Sequence, residues 1–107
     1  MGNSNQILRE IVDRILDTEQ PERIVLFGSR ARGTERPNSD FDLLVIKKSK
    51  EPRYRRSARM YTVLASLPVE VEIMVYTPKE IAEWGAVPEA FVTTAIREGK
   101  VLYERQS

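Results

Sequence analysis

The chain has 107 residues, 17 Lys plus Arg against 16 Asp plus Glu, no His and no Cys. That length accommodates one domain, residues 1–107, and the 41% hydrophobic content is enough for a small core. Without Cys or His there are no disulfides, thiolate nucleophiles, imidazole bases or Cys/His zinc sites, so catalysis would have to use carboxylates, hydroxyls, Lys or Arg, with an oxygen-liganded cation as the natural helper.

In chain order, residues 5–18 form an amphipathic helix: Ile7, Leu8, Ile11, Val12, Ile15 and Leu16 share a stripe opposite Arg9, Glu10, Asp13 and Arg14. Arg23–Phe27 is a short apolar run that predicts a buried strand. Gly28–Ser39 is a polar loop broken by Gly33 and Pro37, and Phe41–Ile46 is a second strand. Seven basic residues and one acid lie between Lys47 and Arg59, leaving the rest of the chain with 10 basic and 15 acidic residues. This block reads as a solvated loop, or alternatively as a surface for phosphates, RNA or an acidic partner. It leads to a helix near 54–66 with Tyr61, Leu64 and Leu67 inward. Val69–Tyr76 alternates as a strand, with Glu70 and Glu72 on one face and Val71 and Ile73 on the other. Thr77-Pro78-Lys79-Glu80 matches a capping box with Pro in the first turn. Pro88 opens a last helix that stops at Gly99, and Val101–Tyr103 adds an edge strand. The pattern predicts a single α/β domain with helices packed on a small mixed sheet.

One segment carries chemistry. Asp40 and Asp42, two apart at a strand start, project from one face, with Phe41, Leu43 and Val45 filling the other. Carboxylates held that close repel, and a divalent cation is the natural remedy. Gly28-Ser29, at the end of the preceding strand, lets phosphate oxygens approach the backbone, and Arg30 and Arg32 can neutralise phosphate or serve as surface ion-pair partners. Ser39 stabilises the turn before the aspartates. Thr34 stands where a Walker A loop requires Lys, so that motif is excluded.

Gly28-Ser29, ten residues and then Asp40-Phe41-Asp42 resembles the signature of the DNA polymerase β-type nucleotidyltransferase superfamily. The longer string, Gly28-Ser29-Arg30-Ala31-Arg32-Gly33 followed by Ser39-Asp40-Phe41-Asp42-Leu43-Leu44-Val45, is similar to its minimal nucleotidyltransferases, small antitoxins paired with a HEPN-domain toxin. The resemblance implies the nucleotidyltransferase fold and transfer of a nucleoside monophosphate, AMP from ATP, with two Mg²⁺ ions. It implies catalytic and metal-holding roles for Asp40, Asp42 and a third carboxylate, and nucleotide binding by Gly28, Ser29, Arg30, Arg32 and Ser39. Glu72 and Glu70 are the candidates for the third acid, and counting back from Thr77-Pro78 favours Glu72, a Glu where the family has Asp. No added helical domain fits in 107 residues, so the acceptor surface is expected from another molecule, a tyrosine of a HEPN-type toxin within a homo- or hetero-oligomer. The alternative is an antitoxin that neutralises its partner by binding alone. No apolar run approaches the roughly 18 residues of a membrane span, and a cytoplasmic setting is expected.

Overall fold

The structure, a computed structural model, describes residues 3–85, 87 and 90–106. Among these residues four strands, β1 (Arg23–Phe27), β2 (Phe41–Ile46), β3 (Val71–Tyr76) and β4 (Lys100–Glu104), lie in the order β3-β2-β1-β4. β1 runs antiparallel to β2 and β4, whereas β2 and β3 are parallel, so the sheet is mixed. The β1–β4 register shifts between Ile24 and Val25. Before β4, Gly99 leaves no room for a Cβ against Ala95 O and Val25 Cγ1, so the chain can turn there only with glycine.

Among the described residues, five α-helices accompany the sheet: α1 (Asn3–Thr18), the single turn α2 (Ser29–Arg32), α3 (Ala58–Leu64), α4 (Pro78–Trp84) and α5 (Phe91–Glu98). The period-2 alternation of β2 divides the core. Phe41, Leu43 and Val45 face Ile11 and Ile15 of α1 and Met60 and Leu64 of α3. On the other face, Leu44 and Ile46 join Val25, Tyr76, Val92 and Ala95 beneath α5. Asp42 belongs to this second face, which is therefore apolar at one end and acidic at the other.

The capping box of α4 forms as the sequence indicates: Glu80 N–H donates to Thr77 Oγ1 at 3.1 Å, and Thr77 N–H to Glu80 Oε1 at 2.9 Å. The helix expected near 54–66 is shorter. A 3₁₀ turn, Arg53–Arg55, precedes α3; Leu64 is buried and Leu67 packs against the core as expected, but Met60 rather than Tyr61 fills the inward position, and Tyr61 stays 41% exposed. Tyr61 instead accepts the Ile73 N–H with its hydroxyl at 2.8 Å, on the side of β3 away from β2. Pro88 lies outside the described residues.

The basic block is only partly a solvated loop. Arg56 is buried, donating to Glu80 Oε1 at 2.7 Å, to Val75 O at 3.2 Å and to Glu51 O at 2.9 Å. Arg53 joins it on Glu80 at 3.7 Å and stacks 4.4 Å from the Tyr76 ring centroid. Lys47 pairs with the buried Glu19, which Arg59 also approaches at 3.6 Å. No helix among the described residues is long and apolar enough to cross a membrane.

Candidate active site

Three residues lie in one row across the sheet: Phe27 of β1 pairs with Asp42 of β2, and Asp42 with Glu72 of β3. Directly opposed residues on neighbouring strands point to the same face, so the parallel register sets Glu72 beside Asp42. Asp40 precedes β2 by one residue, on the Asp42 face by alternation. Glu70 lies one alternation earlier than Glu72. Its carbonyl accepts the Phe41 N–H at 3.0 Å, and it lines a cleft of about 420 Å³ with Arg30, Asn38 and Ser39.

Burial pushes the Asp42 carboxyl above its ordinary value, the charges of Glu72 and Asp40 raise it further, and Arg32 opposes them. Asp42 therefore lies in the field of both other acids. Among the described residues no three carboxylates close into a ready-made metal cage. The chemistry of the donor set nonetheless suits a hard divalent cation: three carboxylates on adjoining segments, one of them disfavoured as an anion by its neighbours.

Gly28 adjoins this row. It has φ 76° and ψ −157°, a backbone conformation that L side chains rarely adopt. A Cβ there would overlap Asp42 Oδ2 and lie 3.2 Å from Asp42 Cγ. Glycine thus serves twice, allowing the turn and letting the backbone pass against the carboxylate. Ser29 follows as the first residue of α2, and its carbonyl accepts the N–H groups of Gly33 and, at 3.0 Å, Thr34. Gly33 closes the turn in the left-handed conformation.

The two arginines of α2 diverge. Residues two apart on a helix point about 200° from each other. Arg32 is exposed, and its charge reaches Asp42. Arg30 points to the other cleft, where Nε and Nη2 donate to Ser39 O at 3.0 and 2.8 Å and the guanidinium lies 3.9 Å from the Phe41 ring centroid. The Ser39 hydroxyl accepts the Arg36 N–H at 2.8 Å, holding the turn before the acids.

An aromatic wall next to the acids was not evident in the sequence. Phe91 meets Phe27 edge-on, with centroids 5.2 Å apart at 80°, and with Arg32, Thr94 and Glu98 they line a cleft of about 280 Å³ against Gly28. The available signal was that Phe27 precedes Gly28 on the Asp42 side of β1; nothing local marked Phe91. A cleft of the same volume at the opposite end of the sheet is lined by Arg23, Glu104, Glu22 and Arg105, which form two ion pairs of 3.4 and 3.6 Å. It lies at the end of β2 away from the acid row.

The nucleotidyltransferase domain family matches residues 7–101 of the chain. The protein belongs to that family. Solved structures give the same fold at low identity. A Sulfolobus solfataricus protein described as a candidate nucleotidyltransferase superposes with a TM-score of 0.66 at 22% identity, over 94% of this chain and 79% of the other. A toxin–antitoxin structure with AMP-PNP gives 0.63 at 22% identity, over 92% and 73%. A mutant of the toxin–antitoxin MntA-HpeT gives 0.60 at 20% identity, also over 92% and 73%. No curated protein sequence matches the chain.

Proposed function

We propose that this nucleotidyltransferase moves AMP from ATP to a hydroxyl of a partner protein, a tyrosine of a HEPN-type toxin, and so acts as an antitoxin. The observation that carries the reading is the Asp42–Glu72 register beside Gly28, which gathers an acid row and a side-chain-free backbone segment at one end of the sheet. The toxin–antitoxin structures of the same fold, one of them with AMP-PNP, support the choice of nucleotide and partner.

Asp40, Asp42 and Glu72 would hold two Mg²⁺ ions, which neutralise the triphosphate and lower the pKa of the acceptor hydroxyl. Gly28 and Ser29 bind the terminal phosphates, and Arg32 offsets their charge. The acceptor oxygen attacks the α-phosphorus, a new O–P bond forms as the bond to the β-phosphate oxygen breaks, and pyrophosphate leaves. In a chain without His, the hydroxyl proton passes to a carboxylate, and the exposure of Glu72 at the row's edge supports giving it that role. The RNA-directed reading loses support because Lys47, Arg53, Arg56 and Arg59 are engaged by Glu19 and Glu80.

A second reading, neutralisation by binding alone, is favoured by the Glu at position 72. Incubating the purified protein with α-labelled ATP, Mg²⁺ and the product of the adjacent gene decides between them. Label on a tyrosine of that product, lost in Asp42→Asn, is the expected result. Neutralisation without label, surviving in Asp40→Asn/Asp42→Asn, would replace the transferase reading with the binding one.

A further inference from the structure

Arg30 shares a single helical turn with Ser29 and Arg32, and the family resemblance implies that all three serve the nucleotide. Its surroundings indicate another task. Two of its N–H groups converge on one acceptor, Ser39 O, at 3.0 and 2.8 Å, and its planar face covers the ring of Phe41 at 3.9 Å. Ser39 and Phe41 are the residues on either side of Asp40. Phe41 is itself fixed from below by the core, being 1% exposed, and its N–H is bound by Glu70 O at 3.0 Å.

We infer that Arg30 is a positioning residue, which ties the α2 turn to the segment carrying Asp40 and Asp42 and so sets the separation between phosphate cradle and metal acids. The inference rests on the nucleotidyltransferase reading of those acids. The geometry also explains the residue type. A guanidinium can donate two bonds in its plane while its face stacks on a ring, and an ammonium can do neither in that way. A guanidinium so engaged has its stacked face and two donors already committed, whereas exposed Arg32 has no such tie.

Outer-shell partners of metal ligands typically change metal affinity by about 10–100-fold when removed. The test uses Arg30→Met and Arg30→Lys, with folding checked by circular dichroism. Three quantities are measured: Mn²⁺ affinity without nucleotide, inorganic triphosphate affinity without metal, and amide exchange at Phe41. The expected result for Arg30→Met is Mn²⁺ binding weakened about tenfold, triphosphate binding within about twofold of wild type, and faster exchange at Phe41. Arg30→Lys should move all three in the same direction by less, which keeps the test informative should the Met variant not fold. Phe41→Leu, which removes the ring and keeps both acids, should also weaken Mn²⁺ binding. Triphosphate binding lost with Mn²⁺ affinity unchanged would overturn the inference and make Arg30 a phosphate ligand. Unchanged exchange at Phe41 would overturn it too. A wild-type protein that binds no Mn²⁺ would instead overturn the metal-site reading itself, whatever the variants do.

Discussion

Asp42 and Glu72 stand opposite each other across the parallel β2–β3 pair, and this juxtaposition is electrostatically unfavourable in the metal-free protein. An acid whose pKa in the fold lies above its unfolded value of 3.8 makes the protein less stable as pH rises through that interval. Asp42→Asn removes the disfavoured charge while keeping the shape. The variant is expected to melt a few degrees above wild type at neutral pH in metal-free buffer, a gain on the order of 1 kcal/mol after allowing for solvent screening. The advantage should shrink as pH falls through that interval and be gone below 3.8. Mg²⁺ should raise the melting temperature of wild type and not of the variant. Scanning fluorimetry with and without Mg²⁺ measures both effects, and a variant that melts below wild type at every pH would contradict the repulsion argument.

Gly28→Ala combines two penalties, backbone strain at φ 76° and the overlap of its Cβ with Asp42 Oδ2. Together they should cost about 2–3 kcal/mol. Only the second depends on residue 42. In the Gly28→Ala/Asp42→Ala pair the overlap is gone, so a double-mutant cycle by urea denaturation should return a coupling of about 1 kcal/mol. Strict additivity would mean that Asp42 swings aside at no cost.

Much of this arrangement could be read from local pattern. The Thr77–Glu80 capping box, the alternation of β2 and β3 and the Gly28-Ser29 spacing to Asp40 and Asp42 each depend on residues close in sequence, and short-range geometry fixes them. The family matching residues 7–101 agrees with the resemblance those motifs carry. What remained hidden is long-range. Arg53 and Arg56 look like surface charges until the fold brings Glu80 beside them. Arg30 and Arg32 are the same residue two positions apart, and only the third dimension gives one of them Ser39 and Phe41 as neighbours. Phe91 meets Phe27 only because α5 crosses β1, a packing choice that no local signal records.

The two candidates for the third carboxylate, Glu72 and Glu70, differ in position on and before β3. Glu72→Gln is expected to abolish transfer while triphosphate binding persists through Asp40 and Asp42, and Glu70→Gln should stay within about threefold of wild type, as befits a surface change. Rates of both variants measured side by side with the proposed protein acceptor provide the check. Loss in Glu70→Gln with full activity in Glu72→Gln would reverse the assignment, and activity in both would remove β3 from the chemistry.

Glu80 supports the fold rather than the site. Its hydrogen bond from Arg56 holds its pKa down at about 2, against an ordinary 4.5. A depressed carboxyl contributes stability that is complete above 4.5 and is lost as pH falls through about 2. Glu80→Gln should cost about 1–3 kcal/mol at neutral pH, because it leaves the buried Arg56 guanidinium without its counter-charge. The gap to wild type should narrow progressively below 4.5. Urea denaturation over a pH series measures this, and a gap independent of pH would assign the loss to packing instead.

The Tyr61 hydroxyl on Ile73 and the Arg56 guanidinium on Val75 O have a consequence for assembly. β3 is the outermost strand on its side of the sheet, the position where an extended segment of another chain would find free backbone groups to template on. Here the outward N–H of Ile73 and carbonyl of Val75 are already bound, so an incoming strand would have to displace a phenol and a buried guanidinium to pair along the middle of β3. The margin nearest Glu72 is thus guarded against edge-to-edge aggregation by side chains from the neighbouring helix and loop.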